Sequence, residues 1–351
     1  MKKILLVGGA GYVGSVLSRE LLERGYAVRI LDRLYYGDRG LRDIRDRVEL
    51  VIGDMRAVKE ELFEGVDAVI NVGGLSNDPQ AAYAPEANYE MNTVASIKLA
   101  KLALDAGITR YIFASTCSIY DTGVGTGVQD VVQNEDSDVD PRAAYSSSKY
   151  LAEKGLLGML EEDEDFCPVI LRKGTIYGFS PRMRYDLVVN SFTKDALSRG
   201  HVTLHCGGEI WRPLVDIHDV AKAYIACIEA PADLVRGEIF NITKDNFRIS
   251  ELALRVRESF RVNGRDFEVR ADYKYRAVRN YRVSGDKAAR ILGFTPSVSV
   301  EDSVTDLLSQ IYAYNCDDFD NPRYYNIQWM RTLEEARDIT AYTGSLFESP
   351  L

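Results

Sequence analysis

Residues 3–24 constrain the fold of this chain more than any other stretch. A short apolar run, Lys3–Val7, leads straight into Gly8-Gly9-Ala10-Gly11-Tyr12-Val13-Gly14. A helical stretch, Val13–Arg24, follows with apolar residues at 13, 16, 17, 21 and 22. Strand, glycine loop and helix in this order open a dinucleotide-binding βαβ unit. The GxxGxxG spacing has physical reasons. A tight turn needs glycine, the backbone must come close to a pyrophosphate, and the helix must pack on the strand. The helix N-terminus then turns free N–H groups and partial positive charge toward the phosphates. Gly8, Gly11 and Gly14, with Tyr12 and Val13 between them, are expected to line such a site.

The next strand, Ala27–Leu31, ends beside Asp32, 18 residues past Gly14. A carboxylate there accepts from the adenosine ribose hydroxyls and repels a 2′-phosphate, which favours NAD over NADP. Arg33, its neighbour, has the charge to hold a phosphate and pulls the other way. Asp54 and Met55, after a third strand at Val48–Ile52, are expected at the adenine.

The alternation continues. Strands are expected at Asp67–Val72, Arg110–Ala114 and Pro168–Leu171, with helices near Pro85–Ala106 and Ala144–Leu160. Continuous apolar strands separated by helices imply an α/β fold, a Rossmann-type doubly wound parallel sheet covered on both faces. Beyond residue 178 the pattern becomes irregular. Helices are expected at Leu187–Ser198, His218–Ile228 and Ile249–Phe260, and a strand at Glu238–Ile242. The organisation expected is a cofactor domain over 1–178 and a smaller mixed lobe over 179–351, with some segments returning to the first. The acidic run Glu161–Asp165 reads as a solvated helix end.

Composition narrows the function. Forty-three basic residues against 53 acidic ones give a net charge of −10, which argues against a nucleic-acid surface. No apolar run reaches the roughly 20 residues that span a bilayer. Five scattered cysteines and three histidines argue against a disulfide framework or a metal site. A cytoplasmic location is expected.

Later motifs complete the reading. Ser115-Thr116-Cys117-Ser118-Ile119-Tyr120 closes the fifth strand, Tyr145 and Lys149 stand four apart, and Tyr177-Gly178 follows the sixth strand. On a helix, positions i and i+4 share a face. A nearby ammonium favours phenolate and lowers a tyrosine pKa from its usual value near 10. Together with the glycine loop and Gly53-Asp54, these motifs resemble the extended short-chain dehydrogenase/reductase family, in its NAD-dependent nucleotide-sugar epimerase and dehydratase branch. The resemblance covers roughly residues 3–310. It implies NAD as cofactor, Tyr145 as acid/base, Lys149 as its tuning cation, and Thr116 as the hydroxyl that holds the reacting sugar oxygen. It places Ser115, Gly73 and Gly74 at the cofactor. Dehydratases of the family carry an acidic residue just after the Thr, and Cys117-Ser118 here argues against that chemistry.

The resemblance also implies substrate contacts. Ser76 and Asn77 are expected at sugar hydroxyls, and Tyr177 near the nicotinamide and sugar. Asn190 is expected at phosphate, Arg182 and Arg184 at the sugar or diphosphate, and Arg212 and Arg279 at the diphosphate. The expected activity is epimerisation of a nucleotide sugar by transient oxidation, at C4. A net dehydrogenase or reductase and a non-catalytic NAD-binding protein are the alternatives. A homodimer through the helices near 85–106 and 144–160 is expected. The tail, residues 313–351, extends past the family core.

Overall fold

The structure is a computed structural model that describes residues 1–121, 131–274 and 279–343. Seven parallel strands form the main sheet: β1 (Lys3–Val7), β2 (Ala27–Asp32), β3 (Glu49–Ile52), β4 (Ala68–Asn71), β5 (Arg110–Thr116), β6 (Cys167–Lys173) and β7 (Ile239–Ile242). Their order is β7-β6-β5-β4-β1-β2-β3. The chain runs outward from β1 to β3 and then restarts at β4 on the other side. The sheet therefore has its switch point between β1 and β4, where a crevice opens at the carboxyl ends of the strands.

Both faces are covered, which is why the strands are apolar without alternation. Helices Tyr12–Glu23 and Ile217–Glu229 bury Leu17, Leu21, Val220 and Tyr224 on one face. Helices Ala95–Asp105 and Ala144–Glu162 bury Leu99, Ala103, Ala152 and Leu156 on the other. Ile4, Leu5 and Leu6 of β1 are wholly buried. At about 1.5–3 kcal/mol for each such side chain, they anchor the strand that carries the glycine loop.

A second core forms around helices Val188–Arg199, Ile249–Val262 and Val300–Ala313. It includes a small sheet of Thr175–Tyr177, Trp211–Asp216 and Asp245–Arg248, which the sequence pattern did not announce. Strand β7 and helix Ile217–Glu229 come from the second half of the chain but belong to the main sheet and its cover. No helix among the described residues is long and apolar enough to cross a membrane.

One expected element differs. The single helix near 85–106 is broken into Pro85–Tyr89, a π-helical turn Glu90–Val94, and Ala95–Asp105. The cause is local polar bonding. Asn92 Nδ2 donates to Leu75 O (3.0 Å) and Ser148 Oγ (3.2 Å), and Thr93 Oγ1 donates to Ser148 O (2.7 Å). Such π-turns often stand at functional sites.

The tail also has a definite course. Helix Asn326–Thr343 runs from the loop after β2 to helix Asp78–Tyr83. Trp329 Nε1 donates to Tyr35 O (2.5 Å), and Met330 Sδ accepts from Gln80 Nε2 (3.0 Å).

Candidate active site

A cavity of about 670 Å³ occupies the crevice. Its floor is the glycine loop. Gly8 has φ +82°, and a Cβ there would lie 2.9 Å from the Gly73 backbone. A Cβ on Gly14 would lie 2.1 Å from Gly8 O, so the helix packs this closely on the loop only because Gly14 lacks a side chain. No side chain caps the helix at Gly11. Its first N–H groups are left for a ligand. Tyr12, Val13 and Gly14 line the cavity beside them. The residues present fit a dinucleotide's diphosphate.

Asp32 lines the same cavity, and its carboxylate accepts from Ala10 N (2.9 Å) and Leu34 N (2.8 Å). It fixes the glycine loop while also lining the cavity. Arg33 is not a free cation. Its Nη1 meets Asp54 Oδ2 at 2.5 Å. Asp54 also binds Arg56 (2.7 Å), and Arg56 holds its carboxyl down to about 2. The pull toward a 2′-phosphate that Arg33 suggested is therefore cancelled by Asp54. Met55, Gly73 and Gly74 complete this wall.

Thr116, Tyr145 and Lys149 all reach the cavity. Thr116 ends β5, and its Oγ1 accepts from Ser118 N (3.1 Å), which fixes its rotamer. Its hydroxyl lies close enough to the Tyr145 phenol to lower that pKa through hydrogen bonding. Burial nevertheless dominates and pushes Tyr145 up to about 12, opposed chiefly by the charge of Arg184. The expected cation, Lys149, does not act on the phenol in this arrangement. Its Nζ sits 4.8 Å over the Phe113 ring, and burial pushes it down to about 7. Ser115 lines the cavity but turns its hydroxyl into the core. Its hydroxyl donates to Glu153, inside a buried pair of Glu153 with Arg172 (2.6 Å). That hydroxyl belongs to the core.

The Lys149 shift has a consequence for stability. An unfolded lysine keeps its proton to about 10.5, whereas the folded one releases it near 7. The folded state thus binds fewer protons between these values, and stability rises with pH across that window. Lys149→Met is expected to melt above the parent apoprotein at pH 6, with the gap closing toward pH 10. Thermal melts of both across that range check this. A gap that does not change with pH would refute it.

The substrate candidates divide. Ser76, Asn77, Arg182, Arg184 and Arg279 line the cavity. Asn77 caps helix Asp78–Tyr83 by accepting from Gln80 N (3.0 Å). Ser76 Oγ accepts from Arg184 Nη1 (3.2 Å). Arg184 is paired with Asp186, and Arg279 with Asp78. Arg212 lies elsewhere, in a neighbouring cavity of about 520 Å³. The two cavities share Thr175, Asp186 and Leu187.

Two residues stand outside both cavities. Tyr177 is wholly buried in the second core, and its hydroxyl donates to Val298 O (3.2 Å). Asn190 spends its amide on Tyr12 OH (3.0 Å), Gly178 O (3.2 Å) and Arg184 O (2.9 Å), and its carbonyl on Gly178 N (3.0 Å). It clamps the lobe to the glycine loop. Strand alternation turns Tyr177 inward, and Asn190 falls on the buried side of its helix.

Several cavity residues were not foreseen. Lys173, paired in register with Thr116, donates to Tyr224 OH (3.1 Å). Asn326, Met330, Leu333, Glu334 and Arg337 of the tail form the cavity's outer wall. A lysine ending an apolar strand was a readable signal. The tail's path was not.

The sequence profile of the NAD dependent epimerase/dehydratase family matches residues 4–243. The chain is 27% identical to UDP-glucuronic acid decarboxylase 1 of Xenopus tropicalis, over 65% of this chain and 54% of that protein, so it spans about half of that relative's length. It is 29% identical to the UDP-glucose 4-epimerase of Lactobacillus helveticus, over 72% of this chain and 81% of the relative. The fold matches the UDP-glucose 4-epimerase of Thermotoga maritima, solved with UDP-glucose. The TM-score is 0.75 at 24% identity, covering 89% of this chain and 99% of the other. Glycine loop, parallel sheet and profile agree, and the chain belongs to the NAD dependent epimerase/dehydratase family.

Proposed function

We propose that the protein is a nucleotide-sugar epimerase that oxidises a sugar carbinol, at C4, and reduces it again on the other face. The observation that carries this is the meeting of Thr116, Tyr145 and Lys149 in one cavity that joins a second, arginine-bearing one. When bound, NAD supplies a reversible two-electron acceptor beside these groups. The sugar then lies at the join, with its nucleotide in the second cavity near Arg212. Arg184 and Arg279, held by Asp186 and Asp78, face it from the larger cavity.

In this reading Thr116 orients the carbinol oxygen and Tyr145 takes its proton. A phenol held at about 12 is a poor base at neutral pH. The positive charge that the cofactor brings lowers that pKa. Cys117 is wholly buried, and burial raises its thiol well above the ordinary range. It offers no acid for loss of water, which favours epimerisation over dehydration.

A homodimer fits the same reading. Tyr89, Val94 and Leu151 are exposed apolar residues on the helices near 85–106 and 144–162.

The test is a panel of UDP-, GDP-, dTDP- and CDP-sugars, uronic acids included, incubated with enzyme and NAD. Products are separated and weighed by mass spectrometry. A new peak of unchanged mass is expected. Loss of carbon dioxide, of water, or of two hydrogens with NADH formed would replace epimerisation with decarboxylation, dehydration or net oxidation. No change with any sugar would remove the substrate class.

A further inference from the structure

Arg182 is only 6% exposed and forms part of the cavity wall. The segment that carries it is anchored at the glycine loop, and Arg182 does not line the second cavity. Two residues earlier, Ser180 Oγ donates to Tyr12 O (2.8 Å) and sits 2.8 Å from Ser15 Oγ. These bonds tie the segment to the first turn of helix Tyr12–Glu23. On the other side, a Cβ built on Gly40 would stand 3.2 Å from the Arg182 Cβ and 3.1 Å from Ala10 O. The guanidinium lies 3.6 Å over the Tyr36 ring, and its Nη2 donates to Asn326 Oδ1 (2.6 Å).

Asp186 and Asp32 lie near enough to favour the charge of Arg182, but neither pairs with it directly. Asp186 is taken by Arg184 through bonds of 2.8 and 3.0 Å. Asp32 is taken by the Ala10 and Leu34 amides. Among the described residues no carboxylate pairs with Arg182, and its buried Nε has no acceptor. Burial accordingly pushes the guanidinium down to about 10. A buried cation without an anion is costly, and such groups persist where a ligand completes them. The same wall carries the uncapped helix N-terminus, which also calls for an anion.

We propose that Arg182 is the counter-cation for the diphosphate of the bound dinucleotide, and that Asn326 of the tail helix positions it. Its orphan Nε, its stacking on Tyr36 and the anchorage of its segment at the glycine loop together assign it to the cofactor instead of the sugar. The segment after the sixth strand thereby closes on the dinucleotide from above. The inference rests on NAD dependence alone and stands whichever sugar is turned over.

The experiment uses Arg182→Met, Arg182→Lys and Asn326→Ala with NAD and no sugar. NAD affinity is measured by calorimetry, and melting temperature with and without NAD. A charge-assisted contact of this kind corresponds to about a 10- to 100-fold rise in Kd for Arg182→Met. The Asn326→Ala change should raise it about 3-fold, because only orientation is lost. The apoprotein of Arg182→Met should melt no lower than the parent, since an unpaired buried charge has been removed. Its NAD-induced gain in melting temperature should shrink. If Arg182→Met does not fold, Arg182→Lys carries the test, and a several-fold rise in Kd is expected because lysine lacks the planar fork. Unchanged NAD affinity in a folded Arg182 variant would overturn the proposal. So would a rise confined to the sugar's KM. A sugar panel without products would leave these NAD measurements untouched.

Discussion

Tyr145→Phe is expected to lower kcat by about 10³-fold while leaving NAD affinity nearly unchanged. The substitution removes one oxygen and keeps the ring. The phenol stands at the Thr116 hydroxyl, inside the cavity, and not in the glycine loop proposed for the diphosphate. Proton transfer should therefore be lost without loss of cofactor binding. Single-turnover reduction of NAD by a processed sugar and NAD calorimetry separate the two. A variant that keeps more than a tenth of parental kcat would remove Tyr145 from the acid/base role. A variant that loses NAD as well would recast it as a structural residue.

The second large effect is on stability. Glu153 and Arg172 are 1% and 3% exposed and joined at 2.6 Å. Ser115 donates to Glu153, Arg172 donates to Tyr120 OH (2.8 Å), and Tyr120 donates to Asn241 Oδ1 (2.9 Å). This network links helix Ala144–Glu162, β5, β6 and β7. Glu153→Ala leaves a buried guanidinium without its anion and should cost about 3–5 kcal/mol. Replacing both partners by apolar residues of similar volume should recover much of that loss. Denaturant melts of the single and double variants check this. A single-variant loss below about 1 kcal/mol would show that water reaches the pair.

Glu153 also shows where sequence reading stops. Its position, one turn beyond Lys149 on the same helix face, was visible. A carboxylate on a buried face implies a partner, but Arg172 comes from a strand 19 residues later. Only folding brings them together. What was legible was local: the apolar strands, the glycine loop, the pairing of Tyr145 with Lys149, and Asp32 at a strand end. Each depends on spacing within one or two elements. What was not legible depends on long-range orientation. Tyr177 and Asn190 read as ligand contacts by position, yet one points into the second core and the other clamps backbone. Arg212 lies one cavity away from Arg279, although its Nη1 donates to the Arg279 carbonyl. The break in the helix near 90–94 is decided by Ser148 and Leu75, residues outside that segment.

The tail helix bears on the order of events as the protein is made. Helix Asn326–Thr343 leaves the ribosome after the sheet, the glycine loop, Thr116, Tyr145 and Lys149. Until it arrives, the outer wall of the cleft is missing and the dinucleotide has an open approach from solvent. Once it docks, its bonds to Tyr35, Ser76, Gln80 and Arg182 close that approach.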